Sequence, residues 1–359
     1  MQRLTTIKAY EELSGDRALT PAEIVLIAAC RAGTDCKRSQ TRPETPTPET
    51  QIRADLLRLL ITGASPACGL PDVGVSLHGA HITGTLDLDF ATARGMTTLD
   101  ACTFAEEPQM MQTNLHHLSL QHSHLPGLAA QQIVVSGSVL LKGLSANGTV
   151  DVSNAKIGGD LDCKEATFRA GCLHSNSPCQ SKATRFSDLT LPKENNRSLN
   201  ANGVNLAGNL NLEEFTAKGK VFLGSADIKG RLDCTKSSFD ANCLLVDGKY
   251  PKGVHAFYAQ RMTVGQGFFW KISHVSGPVY LAAAHVGDLV GDLDRWPNDL
   301  VLDGFTYDRI SAESASAKSR LHWCKKGDRV ERAHVHSNSL VLPNAFARAI
   351  AASGEQVNV

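Results

Sequence analysis

The stretch covering residues 148–168 places small or apolar residues in pairs that are two positions apart. The pairs are Val150 and Val152, Ala155 and Ile157, Leu161 and Cys163, and Ala166 and Phe168. A spacing of two puts both members of a pair on one face of a β-strand. The step from one pair to the next is five or six residues, which leaves room only for a corner. The pattern therefore predicts a chain that coils through very short strands.

The same pattern returns in residues 74–93 and 219–239, and self-similarity at a fixed period is typical of solenoids. The predicted inward positions follow at intervals of five or six: Leu77, Ile82, Leu88, Ala93, Leu99, Phe104, Met110, Leu115, Leu120, Leu125, Ala130, Val135, Leu141, Ala146, Val152, Ile157, Cys163, Phe168, then Ala201, Leu206, Leu212, Ala217, Leu223, Ile228, Cys234, Phe239, Leu245, then Ala259, Val264, Trp270, Val275, Leu281 and Val286. We expect a coil of roughly 20 to 22 residues and a stacking distance of about 4.8 Å.

The fold predicted from this periodicity is mainly β: a right-handed parallel β-helix with four sides to each coil. A three-sided coil is the competing geometry. Four sides are favoured because intervals near five are typical of the pentapeptide-repeat solenoid. The steps at residues 155–157 (AKI) and 166–168 (ATF) resemble that repeat.

Residues 1–66 are predicted to form a helical N-terminal region. Thr20 to Glu23 read as a capping box with proline at the first helical position. A proline- and threonine-rich connector follows at residues 34–50, and a second helix, expected over residues 51–61, is the candidate cap for the first coil.

The solenoid itself is predicted to span residues 67–310, with insertions near 170–198 and 246–256 where the period is interrupted. Residues 311–359 are predicted to form a polar tail that ends in a short helix around residues 344–352, which could cover the far end.

Three segments resemble recurring phrases of a bacterial family of repeat proteins commonly labelled membrane-associated oxidoreductase. They are residues 52–63 (IRADLLRLLITG), 74–88 (GVSLHGAHITGTLDL) and 300–310 (LVLDGFTYDRI), and the likeness covers most of residues 20–325. The resemblance implies a C-terminal membrane segment in longer relatives, and we find no such segment in this sequence. No GxGxxG motif lies between a strand and a helix, so the residues do not support the oxidoreductase label. We expect no cofactor.

Composition narrows the function classes. The 359 residues carry 36 basic and 36 acidic side chains. This balance argues against a general nucleic-acid binder and against a DNA mimic that is acidic throughout. Neither a signal peptide nor an apolar run of membrane-spanning length is evident, and most of the ten cysteines lack the spacing of a zinc site. We expect a protein of the bacterial cytoplasm, where thiols stay reduced.

The sequence signal for a catalytic or metal-binding site is weak at each position where such a site could be considered. His78, His81, His122 and His124 are predicted to point outward, too far apart across coils to share a metal ion. Asp87, Asp162 and Asp233 recur with the repeat, which indicates a role in each coil rather than in one active site. In the first insertion Cys172, His174 and Cys179 lack a fourth metal ligand nearby. We therefore predict no catalytic, cofactor-binding or metal-binding residues.

The predicted function is a non-catalytic, protein-binding scaffold that presents loops from a rigid β-helix. A carbohydrate-active or other hydrolytic β-helix enzyme is one alternative, and a DNA-mimic modulator of a DNA-handling enzyme is another. Oligomerisation through the solenoid ends is left open. The candidate interaction residues lie in the two insertions and are His174, Lys182, Arg185, Phe186, Lys249, Tyr250, Lys252 and His255.

Overall fold

The chain is mainly β. The computed structural model describes residues 18–63, 72–170, 197–244, 249–250, 253–291 and 295–311. Within these ranges, two α-helices accompany a long series of short strands that pair in parallel. This arrangement is compatible with a β-solenoid. The predicted tail and terminal helix lie outside the described residues, as do Cys172, Cys179 and five of the candidate residues: His174, Lys182, Arg185, Phe186 and Lys252.

The helices are α1 (Pro21–Ala32) and α2 (Ala54–Ile61), and one 3-10 turn covers Asn242–Leu244. The strands, in chain order, are β1 Cys36–Lys37, β2 Gln51–Arg53, β3 Gly74–His78, β4 His81–Thr83, β5 Met96–Asp100, β6 Thr103–Phe104, β7 Asn114–Leu115, β8 Leu118–Ser119, β9 His124–Leu125, β10 Leu128–Ala129, β11 Val134–Val135, β12 Val139–Leu140, β13 Ser145–Ala146, β14 Val150–Asp151, β15 Lys156–Ile157, β16 Leu161–Asp162, β17 Thr167–Arg169, β18 Arg197–Asn200, β19 Asn205–Leu206, β20 Leu210–Asn211, β21 Thr216–Lys218, β22 Lys220–Phe222, β23 Asp227–Ile228, β24 Leu232–Asp233, β25 Ser238–Asp240, β26 Phe257–Tyr258, β27 Thr263–Trp270, β28 His274–Ser276, β29 Val279–Tyr280, β30 His285–Gly291, β31 Leu300–Val301 and β32 Thr306–Ser311.

Strand pairing follows the repeat. Through the middle of the chain each strand pairs with the strand four places further on, so that Val134 faces Lys156 and Val139 faces Leu161. Ser138 and Asp160, at equivalent positions of neighbouring repeats, are 22 residues apart. Four successive strands thus enter four different ladders before the fifth returns to the first. The long strand β27 joins two of these ladders into one sheet, because it pairs with both β23 and β24.

The predicted inward positions form the core. Every one that the structure describes is buried, except Val275, which is half-buried against the core, while Leu245 lies outside the described residues. Val152 and Ile157 expose 1% and 2% of their surface, and Leu223 exposes none. The register read from the period of two is therefore confirmed. Toward the end of the chain the core becomes aromatic, and Trp270 stacks on Phe239 and Trp296 with ring centroids 5.6 Å and 4.7 Å away.

Outward carboxylates and amides stabilise the corners. Asp162 Oδ1 accepts the backbone N–H of Lys164 at 3.0 Å, and Asp233 Oδ1 accepts that of Thr235 at 2.9 Å. Asp87 does the same for the N–H of Asp89 at 3.0 Å. Such side chains satisfy a backbone donor that the corner would otherwise leave unpaired. The recurrence of these aspartates therefore has a structural cause within each coil.

The first helix begins as the sequence predicts. The Thr20 side chain accepts the N–H of Glu23, the Glu23 side chain accepts the N–H of Thr20, and Gly33 ends the helix with φ of +65°. Glu23 is also fully buried and accepts two hydrogen bonds from the Arg53 guanidinium, at 2.8 Å and 2.6 Å. This ion pair fastens α1 to β2, because Arg53 is the last residue of that strand.

The second helix is shorter than predicted. Residues Gln51–Arg53 form a strand that pairs with β4, and the helix starts only at Ala54. The strand is favoured because its N–H and carbonyl groups pair with the first repeat. Parallel pairing even reaches into the connector, where Cys36 faces Leu77. The helix itself buries Ala54, Leu56, Leu57, Leu59, Leu60 and Ile61.

Both interruptions of the repeat fall at the same place in the pairing scheme. One follows β17 and ends at β18, and the other follows β25 and ends shortly before β26. Strand β21 pairs with both β17 and β25, and β22 pairs with both β18 and β26. The two interruptions therefore connect the same two ladders, two repeats apart from each other.

Candidate interaction surface

Three of the predicted interaction residues lie in the described part of the chain. Lys249 is exposed. Tyr250 is half-buried against the core, and its hydroxyl donates to Asn242 Oδ1 at 2.8 Å and lies 3.0 Å from Ser276 Oγ. These contacts give Tyr250 a packing role at the base of the second interruption. His255 lies instead in a cluster of aromatic and cationic side chains.

The cluster is built on a column of aromatic rings. Phe222, Tyr258 and Tyr280 face one another across strands β22, β26 and β29. Their ring centroids are 4.9 Å and 5.0 Å apart. The residues just before them, Val221, Phe257 and Val279, are fully buried, so alternation along each strand turns the three rings outward. A ladder of paired strands thereby holds three half-buried rings at one strand spacing from each other.

The imidazole of His255 packs edge-on against two of these rings. Its centroid is 5.2 Å from that of Tyr258 and 5.3 Å from that of Tyr280. Burial first, and then the positive charge of Lys220, lowers the pKa of His255 to about 4. The ring is therefore neutral near pH 7. Its Nδ1 lies 3.0 Å from the carbonyl oxygen of Gly253, which can only accept, so Nδ1 carries the proton.

Two cations lie over the same column. Lys220 Nζ is 4.5 Å from the Phe222 ring centroid and 4.4 Å from that of Tyr258. The guanidinium carbon of Arg197 is 4.4 Å from the Phe222 centroid on the neighbouring strand. All three distances lie in the range of cation–π attraction. Arg197 and Lys220 are aligned with each other at an irregularity in the pairing of β18 with β22.

No carboxylate of the described residues neutralises these two charges. Only 8% of Lys220 is exposed, and its ammonium group has no hydrogen-bond or ion-pair partner in the described part of the chain. The Nε of Arg197 is buried and likewise without an acceptor there. Burial, and next the charge of Arg197, lowers the pKa of Lys220 to about 8. Lys220 is therefore mostly charged near pH 7, although that charge is buried.

We call this group the Lys220 surface: Arg197, Lys220, Phe222, His255, Tyr258 and Tyr280. It lies where the chain rejoins the ladder after each interruption, since Arg197 opens β18 and His255 precedes β26 by two residues. Chemically, two desolvated cations beside half-exposed aromatic rings can bind an anionic group and bury apolar area around it. Of its six members, the sequence indicated only His255. The signal for the three rings is an aromatic residue directly before three inward positions, Leu223, Ala259 and Leu281.

The histidines do not form a metal site among the residues that the structure describes. His81 and His124 share a ladder, with Thr103 between them, as predicted. The prediction that all four histidines point outward is wrong for His81, which is only 7% exposed. Burial lowers its pKa, and its Nδ1 has no hydrogen-bond partner in the described part of the chain. The hydroxyl of Thr103, its neighbour in the ladder, donates to the carbonyl oxygen of Pro43, so the connector lies against this face.

Two surface clefts lie elsewhere. One, of about 810 Å³, is lined by Asp72, Arg94, Met96 and His116 among others, and Asp72 is paired with Arg94. The other, of about 590 Å³, includes Arg231, Phe269, Asp288 and Arg309, and the Arg309 guanidinium holds Asp288 with two hydrogen bonds at 2.8 Å and 2.9 Å. In both clefts an arginine pairs with a carboxylate, in contrast to the unpaired cations of the Lys220 surface.

Comparison with known proteins gives no match to a family model, to a curated protein or to a solved structure. In the described ranges, no helix has both the length and the apolar character needed to cross a membrane.

Proposed function

We propose that this protein is a non-catalytic, protein-binding scaffold whose partner docks on the Lys220 surface and on the two insertions. The observation that carries the proposal is the concentration of arginine, lysine and tyrosine on one outward ladder, at the two places where the repeat is interrupted. Arginine and tyrosine are enriched at the centres of protein interfaces. Loops projected from a rigid framework commonly carry binding.

Rigidity of the supporting ladder favours this use. Beneath the outward rings, Phe257 packs on Trp270 and on Phe239, with ring centroids 5.1 Å and 5.2 Å away. These residues are fully buried. A surface that is already ordered loses little conformational entropy when a partner binds, so more of the contact energy appears as affinity.

The proposal includes the finer features of the fold. Four ladders for each repeat support a four-sided, right-handed coil of the pentapeptide type, and the apolar face of α2 supports its role as the N-terminal cap. We place the protein in the bacterial cytoplasm. This placement is supported by the sequence expectation and by the free thiols, since Cys102, Cys163 and Cys234 are buried and unpaired.

The two alternative functions have less support. A hydrolytic enzyme would use converging carboxylates in a groove, whereas Asp162 and Asp233 cap their own corners. A DNA mimic would present an acidic stripe, whereas the Lys220 surface carries two unneutralised cations. A measured hydrolysis of any polysaccharide would revive the first alternative.

Capture of partners from the native host by the immobilised full chain tests the proposal. We expect a protein to be retained by the wild type and lost with Lys220→Gln. The control Lys236→Gln, at an exposed corner between β24 and β25, should retain it. Replacing residues 171–196 by a short Gly-Ser connector should also abolish capture while the melting temperature stays close to that of the wild type. Equal retention by all four proteins would refute docking at this surface.

A further inference from the structure

The Lys220 surface holds two positive charges, and no carboxylate of the described residues balances them. Side chains of lysine are almost never buried as deeply as Lys220 unless they are paired. The described residues supply two aromatic faces to its ammonium group and no hydrogen-bond acceptor. An ammonium group can donate three hydrogen bonds, and the described residues accept none of them.

Arg197 strengthens the same imbalance. Its guanidinium lies over the Phe222 ring, beside Lys220, and its buried Nε has no acceptor among the described residues. Two like charges held together in a place of low dielectric repel each other. Folding maintains this arrangement because the charges are fixed on adjacent paired strands. An anion placed between them would relieve both the repulsion and the missing hydrogen bonds.

We propose that Arg197 and Lys220 bind a carboxylate of the protein partner, from an Asp or Glu side chain or from a chain terminus. The inference rests on the proposed scaffold function and names the chemical group that this surface recognises. A guanidinium matches the planar carboxylate with parallel donors, and the ammonium supplies a further charge-assisted hydrogen bond. The half-buried rings of Tyr258 and Tyr280 would cover the aliphatic stem that carries the carboxylate.

Charge decides between a carboxylate and a phosphate group. The surface has two cations near pH 7, because His255 stays neutral there with its proton directed at the carbonyl of Gly253. To bind here, a phosphate dianion would have to lose most of its hydration shell. The surface would offer it only two fixed cations and three aromatic rings in return. A carboxylate carries one charge and loses less hydration, so it fits this surface better.

Lysine-detected NMR on the full chain tests the inference without a partner. The protein is labelled with 13C at lysine Cε, and the Lys220 signal is the one that disappears in Lys220→Gln. Sodium acetate is titrated against sodium chloride of equal ionic strength, with sodium phosphate in a second series. We expect acetate to shift the Lys220 signal saturably and to raise its pKa by at least one unit, with no such change at Lys236.

Arg197→Gln should weaken the acetate effect at least tenfold while leaving the Lys236 signal unchanged. Absence of a saturable acetate effect, or saturation by phosphate at a lower concentration than acetate, would overturn the inference. Partner capture that still depends on Lys220 in that case would leave the scaffold proposal standing. Conversely, acetate binding with no captured partner would uphold an anion site and refute the scaffold.

Discussion

The ammonium nitrogen of Lys220 lies 4.4 Å from the ring centroid of Tyr258, on the outer side of a ladder of parallel strands. The ring offsets part of the cost of burying the charge but supplies no anion. The buried charge of Lys220 therefore destabilises the protein when no partner is bound. Residues of this kind are often found at sites of function, where a local rule of folding is broken for another purpose.

The free energy of unfolding should rise in alkaline solution because of Lys220. Its pKa is about 8 in the folded chain and about 10.4 when unfolded. Between these values the unfolded chain binds more protons, so stability increases with pH, by about 3 kcal/mol for a buried group with this shift. Arg197 stays charged throughout, His255 stays neutral, and burial raises the pKa of Tyr258.

Urea unfolding of the wild type and of Lys220→Met at pH 7, 8, 9 and 10 measures this effect. We expect Lys220→Met to be the more stable protein at pH 7, and the difference to shrink as the pH rises. Lys236→Met, at an exposed lysine paired with Glu214, should show no such pH-dependent difference. A constant difference between wild type and Lys220→Met across the series would contradict the buried charge.

Glu23→Ala should destabilise the protein strongly. The mutation removes a buried carboxylate that pairs with Arg53 and also completes the capping box of α1. Loss of one partner of a buried ion pair costs about 3–5 kcal/mol. Glu49→Ala, at an exposed position of the connector, should stay within about 0.5 kcal/mol of the wild type. Chemical unfolding of the two variants compares them directly.

Mutations at three neighbouring positions should destabilise the protein to different extents, depending on the direction in which each side chain points. Val152→Asp buries an unpaired charge and is expected to cost several kcal/mol. Lys156→Ala, at an exposed position, should be nearly silent. Asp151→Ala should lie between them, at about 1 kcal/mol, because Asp151 accepts from the N–H of Ser153 and from Asn200 Nδ2, each at 2.9 Å. Thermal melts that ranked the variants differently would contradict the register.

Ala283→Gly should stabilise the protein. Ala283 is exposed and has a φ of +55°, a conformation that costs a residue with a Cβ about 1–2 kcal/mol. Part of the gain is cancelled by the freedom that glycine adds to the unfolded chain. The matched reverse change is Gly304→Ala at the next corner, where φ is +65° and an added Cβ would meet no atom closer than 3.6 Å. We expect melting temperatures to move in opposite directions for the two variants.

Features that depend on local periodicity can be predicted from the sequence, whereas features that depend on pairing between distant segments cannot. Inward positions such as Val152 and Leu223 were predictable because burial follows a period of two, which is local. The strand at Gln51–Arg53 was not, since its apolar spacing also fits a helix and only pairing with β4 decides between them.

The Lys220 surface could be predicted only in part. His255 was found because it lies in a polar segment that breaks the period. Lys220 and Arg197 cannot be identified from the sequence, because their alignment arises at an irregularity in the pairing of β18 with β22. The contact of Lys220 with Tyr258 spans the second interruption. Single-sequence patterns do not specify which outward residues meet across such gaps.

The central claim is that a protein partner docks on the Lys220 surface. Calorimetric titration of the captured partner into the full chain tests it most directly, with the wild type, Lys220→Gln and Lys236→Gln compared at one salt concentration. We predict that Lys220→Gln weakens binding at least tenfold, about 1.4 kcal/mol, while Lys236→Gln binds as the wild type does. Equal affinity of all three proteins for the partner would contradict the claim and place docking on another face.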